Sequence, residues 1–280
     1  MTSPEYIEYD QGKGRIPPAK AFSRAVSSEF KRLTTQRWFK WALPLMVLAP
    51  VLMEWFIAAT NKSLFDADIV ENSLGANALL SGVRQPGMLF VWIISVLAVT
   101  SDYSSGHSKI NFSYFPSRWM PAVAKFLVVT AIVIAAMLLA FLLSTGTYKL
   151  TAPDELWSNE DFKTAATMMA KAALVHTPLT VALMMGLSHL IRSSVASLFV
   201  CIGWPIAESI APMGLDSMRH VAPFAPFRNL RNWTWGGEGL FTEDSSELFA
   251  HGGIWPIVYF AAVALTIAAI SLYVVRRRDA

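Results

Sequence analysis

The sequence predicts an all-α polytopic membrane protein with six transmembrane helices, and three observations carry that reading. Hydrophobic residues make up 54% of the 280 and charged residues only 15%, whereas a soluble domain of this size carries about a quarter charged residues. Mean hydropathy is +0.42. The apolar residues are also gathered into long blocks, which a soluble core does not require. The formal net charge of +3 is too small to argue for nucleic acid, and no basic patch is interleaved with base-stacking aromatics. The one cysteine, Cys201, lies in an apolar run, which excludes an intrachain disulfide and a cysteine-based metal site.

Residues 1–40 form a polar, charged N-terminal segment and do not make a cleavable signal peptide. The first apolar block is therefore expected to act as an uncleaved signal anchor. Within the segment, Phe22, Val26, Phe30 and Leu33 recur at helical spacing, with Arg24, Lys31, Arg32 and Arg37 among them. That pattern predicts an amphipathic helix along the inner membrane surface, its basic residues meeting anionic headgroups. A solvated juxtamembrane helix is the alternative. Trp38 and Trp41 mark the interface.

Six spans follow within a transmembrane domain at 41–275, before a short tail at 276–280. They cover roughly 41–59, 86–101, 120–143, 172–191, 195–213 and 254–275, each long enough or nearly so for a ~30 Å hydrocarbon core. The second is the shortest and borrows a turn at one end. The fourth and fifth meet across a tight turn, IRSSV, at Arg192.

An even number of spans puts both termini on one side. With the termini in the cytoplasm, fifteen Lys/Arg residues fall inside and eight outside, while twelve acidic residues fall outside and six inside. Glu54 and Glu208 remain within spans. The positive-inside rule thus favours cytoplasmic termini. The outer segments are the longer ones, at about 26, 28 and 40 residues.

The inner loop at 101–118 reads SDYSSGHSKINFSYFPSR. Asp102-Tyr103-Ser104-Ser105-Gly106 follows the second span, and Pro116-Ser117-Arg118 closes the loop before the third. Upstream stands Ser28-Glu29-Phe30-Lys31-Arg32-Leu33, and the last span runs into Arg276-Arg277-Arg278-Asp279. In order and placement these stretches resemble the bacterial ABC-2 type transporter permeases. Those carry an acidic–Tyr–x–x–Gly motif after the second span, a Pro-x-Arg before the third and a Glu–x–x–Lys/Arg–Leu signature in an N-terminal elbow helix. Asp102 stands where that family usually has glutamate, and His107 where a small hydroxyl residue or Met is commoner. The recognisable motifs cover about thirty residues, and the topology the whole chain.

The resemblance implies a half-transporter of the bacterial plasma membrane. It would pair with a second permease subunit, as homo- or heterodimer, above separate cytoplasmic ATPase subunits. ATP and Mg would then be held by those partners, and this chain would bind no cofactor. Consistently, no G-x-x-x-x-G-K-[ST] phosphate loop is present: Gly12-Lys13-Gly14 lacks a glycine at the required distance upstream.

On a helix, Tyr103, Gly106, His107, Ile110 and Tyr114 fall on one stripe, because three, four and seven are helical intervals. Such a coupling helix could dock in a cleft of an ATPase and act as a rigid lever, with Asp102 and Arg118 at its ends. The other reading is an interfacial loop whose aromatics anchor to headgroups. From the family resemblance, Glu29, Lys31 and Arg32 are expected to mark the elbow helix.

Glu54 and Glu208 each lie about 13 residues into their spans, so ~20 Å deep at ~1.5 Å per residue. Intramembrane carboxylates are functional candidates by default. They either line the translocation pathway, face a neighbouring helix or subunit, or snorkel to the outer interface. His176 and His189 share the fourth span but point to different faces, so they cannot chelate one metal. His176-Thr177-Pro178 marks a helix bend. Ser188 and His189 are adjacent and therefore point ~100° apart, which argues against an intramembrane protease. The outer stretch PFAPFRNLRNWTWGGEGLF at 223–241 suits amphipathic helices at the outer surface, or aromatics anchoring a loop. Its Arg228 and Arg231, with Arg219, would attract an anionic headgroup or pair with Glu238, Glu243 or Asp244.

The expected function is therefore export of an amphipathic substrate, such as a peptide antibiotic, drug or lipid-like molecule, by alternating access. A non-transporting immunity or scaffold protein that sequesters its ligand is the alternative outside transport.

Overall fold

The computed structural model describes residues 18–67, 69, 75–104, 119–214, 224–236 and 253–278, and every regular element among them is helical. Helix α1 covers Pro18–Thr35. A single extended residue, Gln36 (φ −69°, ψ 136°), separates it from α2 at Arg37–Asp66. A 3₁₀ turn at Ala78–Leu80 and a π-turn at Val83–Gly87 lead into α3 at Met88–Ser104. Next come α4 at Trp119–Thr151 and α5 at Asn159–Lys171. A second π-turn at Ala172–His176 joins α5 to α6 at Thr177–Ile191. The chain ends with α7 at Ser194–Gly214, α8 at Pro226–Trp235 and α9 at Trp255–Arg278.

Among the described residues, five stretches are long and apolar enough to cross a membrane: Arg37–Asp66, Ala78–Ser104, Trp119–Thr151, Asn159–Ile191 and Trp255–Val275. They coincide with five of the six expected spans. The expectation at 195–213 falls on α7, whose apolar part, Ser194–Ile210, is shorter. The helices overrun the apolar windows read from the sequence. The region read as an outer loop at 144–171 is mostly helix, and its connection is only residues 152–158. Ser158 supplies the reason for the restart there. Its Oγ accepts from the backbone N–H groups of Glu160 (3.2 Å) and Asp161 (3.5 Å), and the two acidic residues themselves suit the positive end of a helix.

Both π-turns lie where proline disturbs the helical ladder. Pro86 sits within the first, and Pro178 follows the second at the expected His176-Thr177-Pro178 bend. A proline cannot donate its backbone bond, and a wider turn accommodates the displaced carbonyl. α2 also holds Pro44 and Pro50, and here the chain approaches itself closely. A Cβ on Gly82 would lie 2.2 Å from the Pro50 carbonyl oxygen, so only glycine lets the start of the second span cross α2 at this point. Between α6 and α7 the reversal uses Arg192 in the left-handed region (φ 61°).

Packing places α3 and α6 at the centre. α2 runs along α4, α6 along α9, and α3 against α6 and α7. One apolar cluster joins α1 to α6 through Leu33, Met46, Ile94, Met137 and Met185. A second joins α3 and α6 to α7, α8 and α9 through Val96, Met184, Cys201, Leu230 and Phe260. α2 and α9 turn Leu48, Leu52, Trp55, Phe56, Leu265 and Ile270 outward. An apolar surface of that extent suits a lipid surround, because a soluble monomer rarely exposes large contiguous patches.

The amphipathic helix α1 is present: of the expected stripe, Leu33 is buried, Phe22 and Val26 pack against the apolar clusters, and Phe30 turns away. Ala21, Ala25, Glu29 and Leu33 face the bundle, while Phe30 is 50% exposed. α1 packs directly on α4, and small residues permit the close approach that Phe30 would prevent.

Candidate functional site

Charged residues of α1 and the end of α3 meet at one end of the bundle. Arg32 Nη2 reaches Glu29 Oε2 at 2.5 Å and Asp102 Oδ2 at 2.9 Å. Lys125 Nζ donates to the same Asp102 oxygen. Glu29, Asp102 and Lys125 are 3%, 5% and 4% exposed, so two acids and two bases share a nearly closed site. Three elements supply them: α1, the last turns of α3 and the second turn of α4. Charges removed from water at this depth are tolerated only when paired, and here the signs balance. Burial raises the Glu29 carboxyl above its ordinary value, Lys125 and Arg32 oppose that shift, and Asp102 adds to it.

Tyr103, the next residue, serves the opposite side. Its hydroxyl lies 3.0 Å from His189 Nδ1 on α6, and the two rings meet edge to face at 5.9 Å. The Arg192 guanidinium stands 5.2 Å from the Tyr103 ring centroid, a cation–π distance. This explains why a long side chain occupies a left-handed position that would otherwise suit glycine. Ser101 completes the group by donating to Gln36 Oε1 at 3.3 Å, which ties the α1–α2 elbow to the end of α3. Adjacent helical residues point ~100° apart. The pair Asp102-Tyr103 therefore links α1 and α4 on one side to the α6–α7 turn on the other.

Of the other loop positions expected to couple, Gly106, His107, Ile110, Tyr114 and Arg118 lie outside the described residues. Lys31 is exposed on α1 and does not join the cluster. Lys125 was missing from the expected set. Its signal was a lone lysine inside the apolar run PAVAKFLVVT, an intramembrane charge of the kind that calls for a named partner.

The two span carboxylates are placed at the far end, and not together. Glu54 is fully buried, and its Oε2 accepts from the backbone N–H of Gly82 at 3.1 Å. Glu208 Oε2 accepts from the backbone N–H of Arg228 at 3.0 Å, on the first turn of α8. Each carboxylate thus satisfies an amide at the start of a helical stretch, where intrahelical partners are lacking. For α8 the need is clear, since Ala225 at the cap offers no side-chain acceptor. His176 and His189 have separate partners, with His176 Nδ1 2.9 Å from Thr234 Oγ1 on α8. Ser188 Oγ donates to the Met184 carbonyl at 2.7 Å rather than turning towards His189. A helix does form within the stretch expected to be amphipathic, α8, which buries Phe227, Leu230 and Trp235 and sets Phe227 edge to face on Trp204 and Phe260. Arg219, Glu238, Phe241, Glu243 and Asp244 lie outside the described residues.

Comparison with protein-family models, curated proteins and solved structures finds no match for this chain.

Proposed function

We propose that this chain is the permease subunit of an ABC-2 type exporter in a bacterial plasma membrane. It spans six times with both termini in the cytoplasm, pairs with a second permease subunit and moves an amphipathic substrate. ATP and Mg are held by separate cytoplasmic ATPase subunits. One observation carries the reading: Asp102 and Tyr103, the first residues of the expected ATPase-docking loop, are fastened to α1, α4 and the α6–α7 turn. A push delivered to the end of α3 would reach three other elements. Interfaces of this kind have discrete arrangements, and differential contact with a partner can bias them.

The test is mild-detergent purification from the native host, followed by vanadate-sensitive ATPase assay and transport in vesicles. A P-loop ATPase is expected to co-purify, and Gly106→Arg is expected to release it while membrane insertion stays normal. Tyr103→Phe removes only the hydroxyl facing His189. It is expected to keep the ATPase bound while transport falls about tenfold, the loss of roughly one hydrogen bond of coupling. Reproducible absence of any ATPase sinks the proposal, as does full transport by Gly106→Arg.

A further inference from the structure

The far end carries basic groups that its carboxylates leave unneutralised. Arg84, Arg228 and Arg231 form no ion pair among the described residues, where the ion pairs are those of Arg32, Lys125 and Lys163. Arg84 lies half-buried in the π-turn ahead of α3 and donates from Nη1 to Asn77 Oδ1 at 3.1 Å. Arg228 and Arg231 are one turn apart on α8. Arg231 Nη1 donates to Ser209 Oγ at 2.9 Å, beside Glu208.

Arg231 senses the other two. Burial first, then the charges of Arg84 and Arg228, pull the Arg231 guanidinium below its ordinary value, with Glu208 opposing. Although Arg231 keeps an exposed edge, its guanidinium sits among these neighbours. α3 and α8 touch through Trp92 and Phe227, whose rings are 6.3 Å apart, and Arg84 stands about two turns beyond Trp92.

Among the described residues, three guanidinium groups against one carboxylate leave a net positive locus at the edge of the apolar helices. Guanidinium groups gathered at an apolar edge favour an anion, and their planar forks match groups with several acceptor oxygens. The surroundings are apolar: Ile206, Ile210 and Phe224 are 46%, 58% and 52% exposed, the first two on the α7 turns flanking Glu208 and Ser209. We propose that Arg84, Arg228 and Arg231 bind the phosphate head of an anionic amphiphile, whose apolar part lies along Ile206 and Ile210. This site does not depend on the transport reading.

The head could belong to a bilayer phospholipid or to a free amphiphile, and the probes separate them. The protein is expressed in membranes containing phosphatidylglycerol, extracted and examined by native mass spectrometry, then titrated with dodecyl phosphate and with inorganic phosphate. Retained phosphatidylglycerol identifies the lipid source. A lipid-free protein that takes up dodecyl phosphate identifies a free amphiphile. In either case Arg84→Gln and Arg228→Gln are expected to lower occupancy about tenfold each, the scale of one lost charge-assisted contact. Arg84→Lys keeps the charge and is expected to fall between them and wild type. Replacing the exposed pair Lys20 and Arg24 on α1 by glutamine is expected to change nothing. Wild-type occupancy in both arginine variants overturns the site, and so does failure of wild type to take up either amphiphile. Equal affinity for inorganic and dodecyl phosphate overturns the amphiphile assignment.

Discussion

The two ends of the bundle handle buried charge in opposite ways. At the α1 end, Glu29, Arg32, Asp102 and Lys125 neutralise one another side chain to side chain. At the far end, Glu54 and Glu208 accept from backbone amides, and the arginines nearby form no ion pair among the described residues. The first arrangement locks three helices by charge, so the sign of each group matters. The second uses carboxylates only as acceptors, so their charge should be dispensable. Replacing an acid by its amide separates the two cases.

The largest effect is expected at the hub. Asp102→Asn leaves Lys125 and Arg32 buried without their shared anion, and removing one partner of a buried pair costs about 3–5 kcal/mol. Thermal unfolding in detergent should show a severe loss. Adding Lys125→Met to Asp102→Asn should recover part of it, because the uncompensated lysine is then gone. Equal stability of Asp102→Asn and wild type would dissolve the contrast between the two ends.

A steric test of the far end comes next. Gly82→Ala drives a Cβ against the Pro50 carbonyl, which is backbone and cannot rotate aside. Overpacking costs about 1–3 kcal/mol, and moving Gly82 also lengthens its bond to Glu54. Glu54→Gln keeps an oxygen acceptor for the same amide and should sit within about 0.5 kcal/mol of wild type. At α8, Glu208→Ala should lose about 1 kcal/mol as a missing cap does, while Glu208→Gln should not. Glutamine variants as damaging as Asp102→Asn would show that charge matters equally at both ends.

Legibility in the sequence followed the same division. Five of the six spans and the helix break at Arg192 could be read, because apolar blocks and turn residues are written in residue types. Lys125 was hidden because a single charge barely alters the hydropathy of PAVAKFLVVT, and its partner lies 23 residues away. The place of Glu54 and Glu208 within apolar helices could be read, but not what occupies them. Their partners are the N–H groups of Gly82 and Arg228, and every residue except proline carries such a donor. Helix ends were underestimated where polar residues continue a helix past its apolar window. Asn61 and Tyr148 do so, and their side chains meet at 3.4 Å between α2 and α4. On α1 the buried positions Ala21 and Ala25 fall one place before the expected Phe22 and Val26, because helical periodicity identifies an apolar face, not which neighbour requires small residues.

The smallest prediction probes the paired end through pH. Glu29 is raised above its ordinary 4.5, with burial outweighing the attraction of Lys125 and Arg32. A carboxyl raised in the folded state contributes stability that is fully present below the unfolded value and is lost as pH rises through the folded one. Wild type should therefore lose a small increment as pH climbs from about 4.5, and Glu29→Gln, which cannot ionise, should not. The measurement is the difference in unfolding midpoint between the two across that range, which cancels titrations they share. A difference moving steadily in favour of Glu29→Gln with rising pH fits a carboxyl held partly against its charge by burial. Movement the other way would mean that Arg32 and Lys125 dominate. The cluster would then be a net stabiliser through charge at every member, rather than through Asp102 above all.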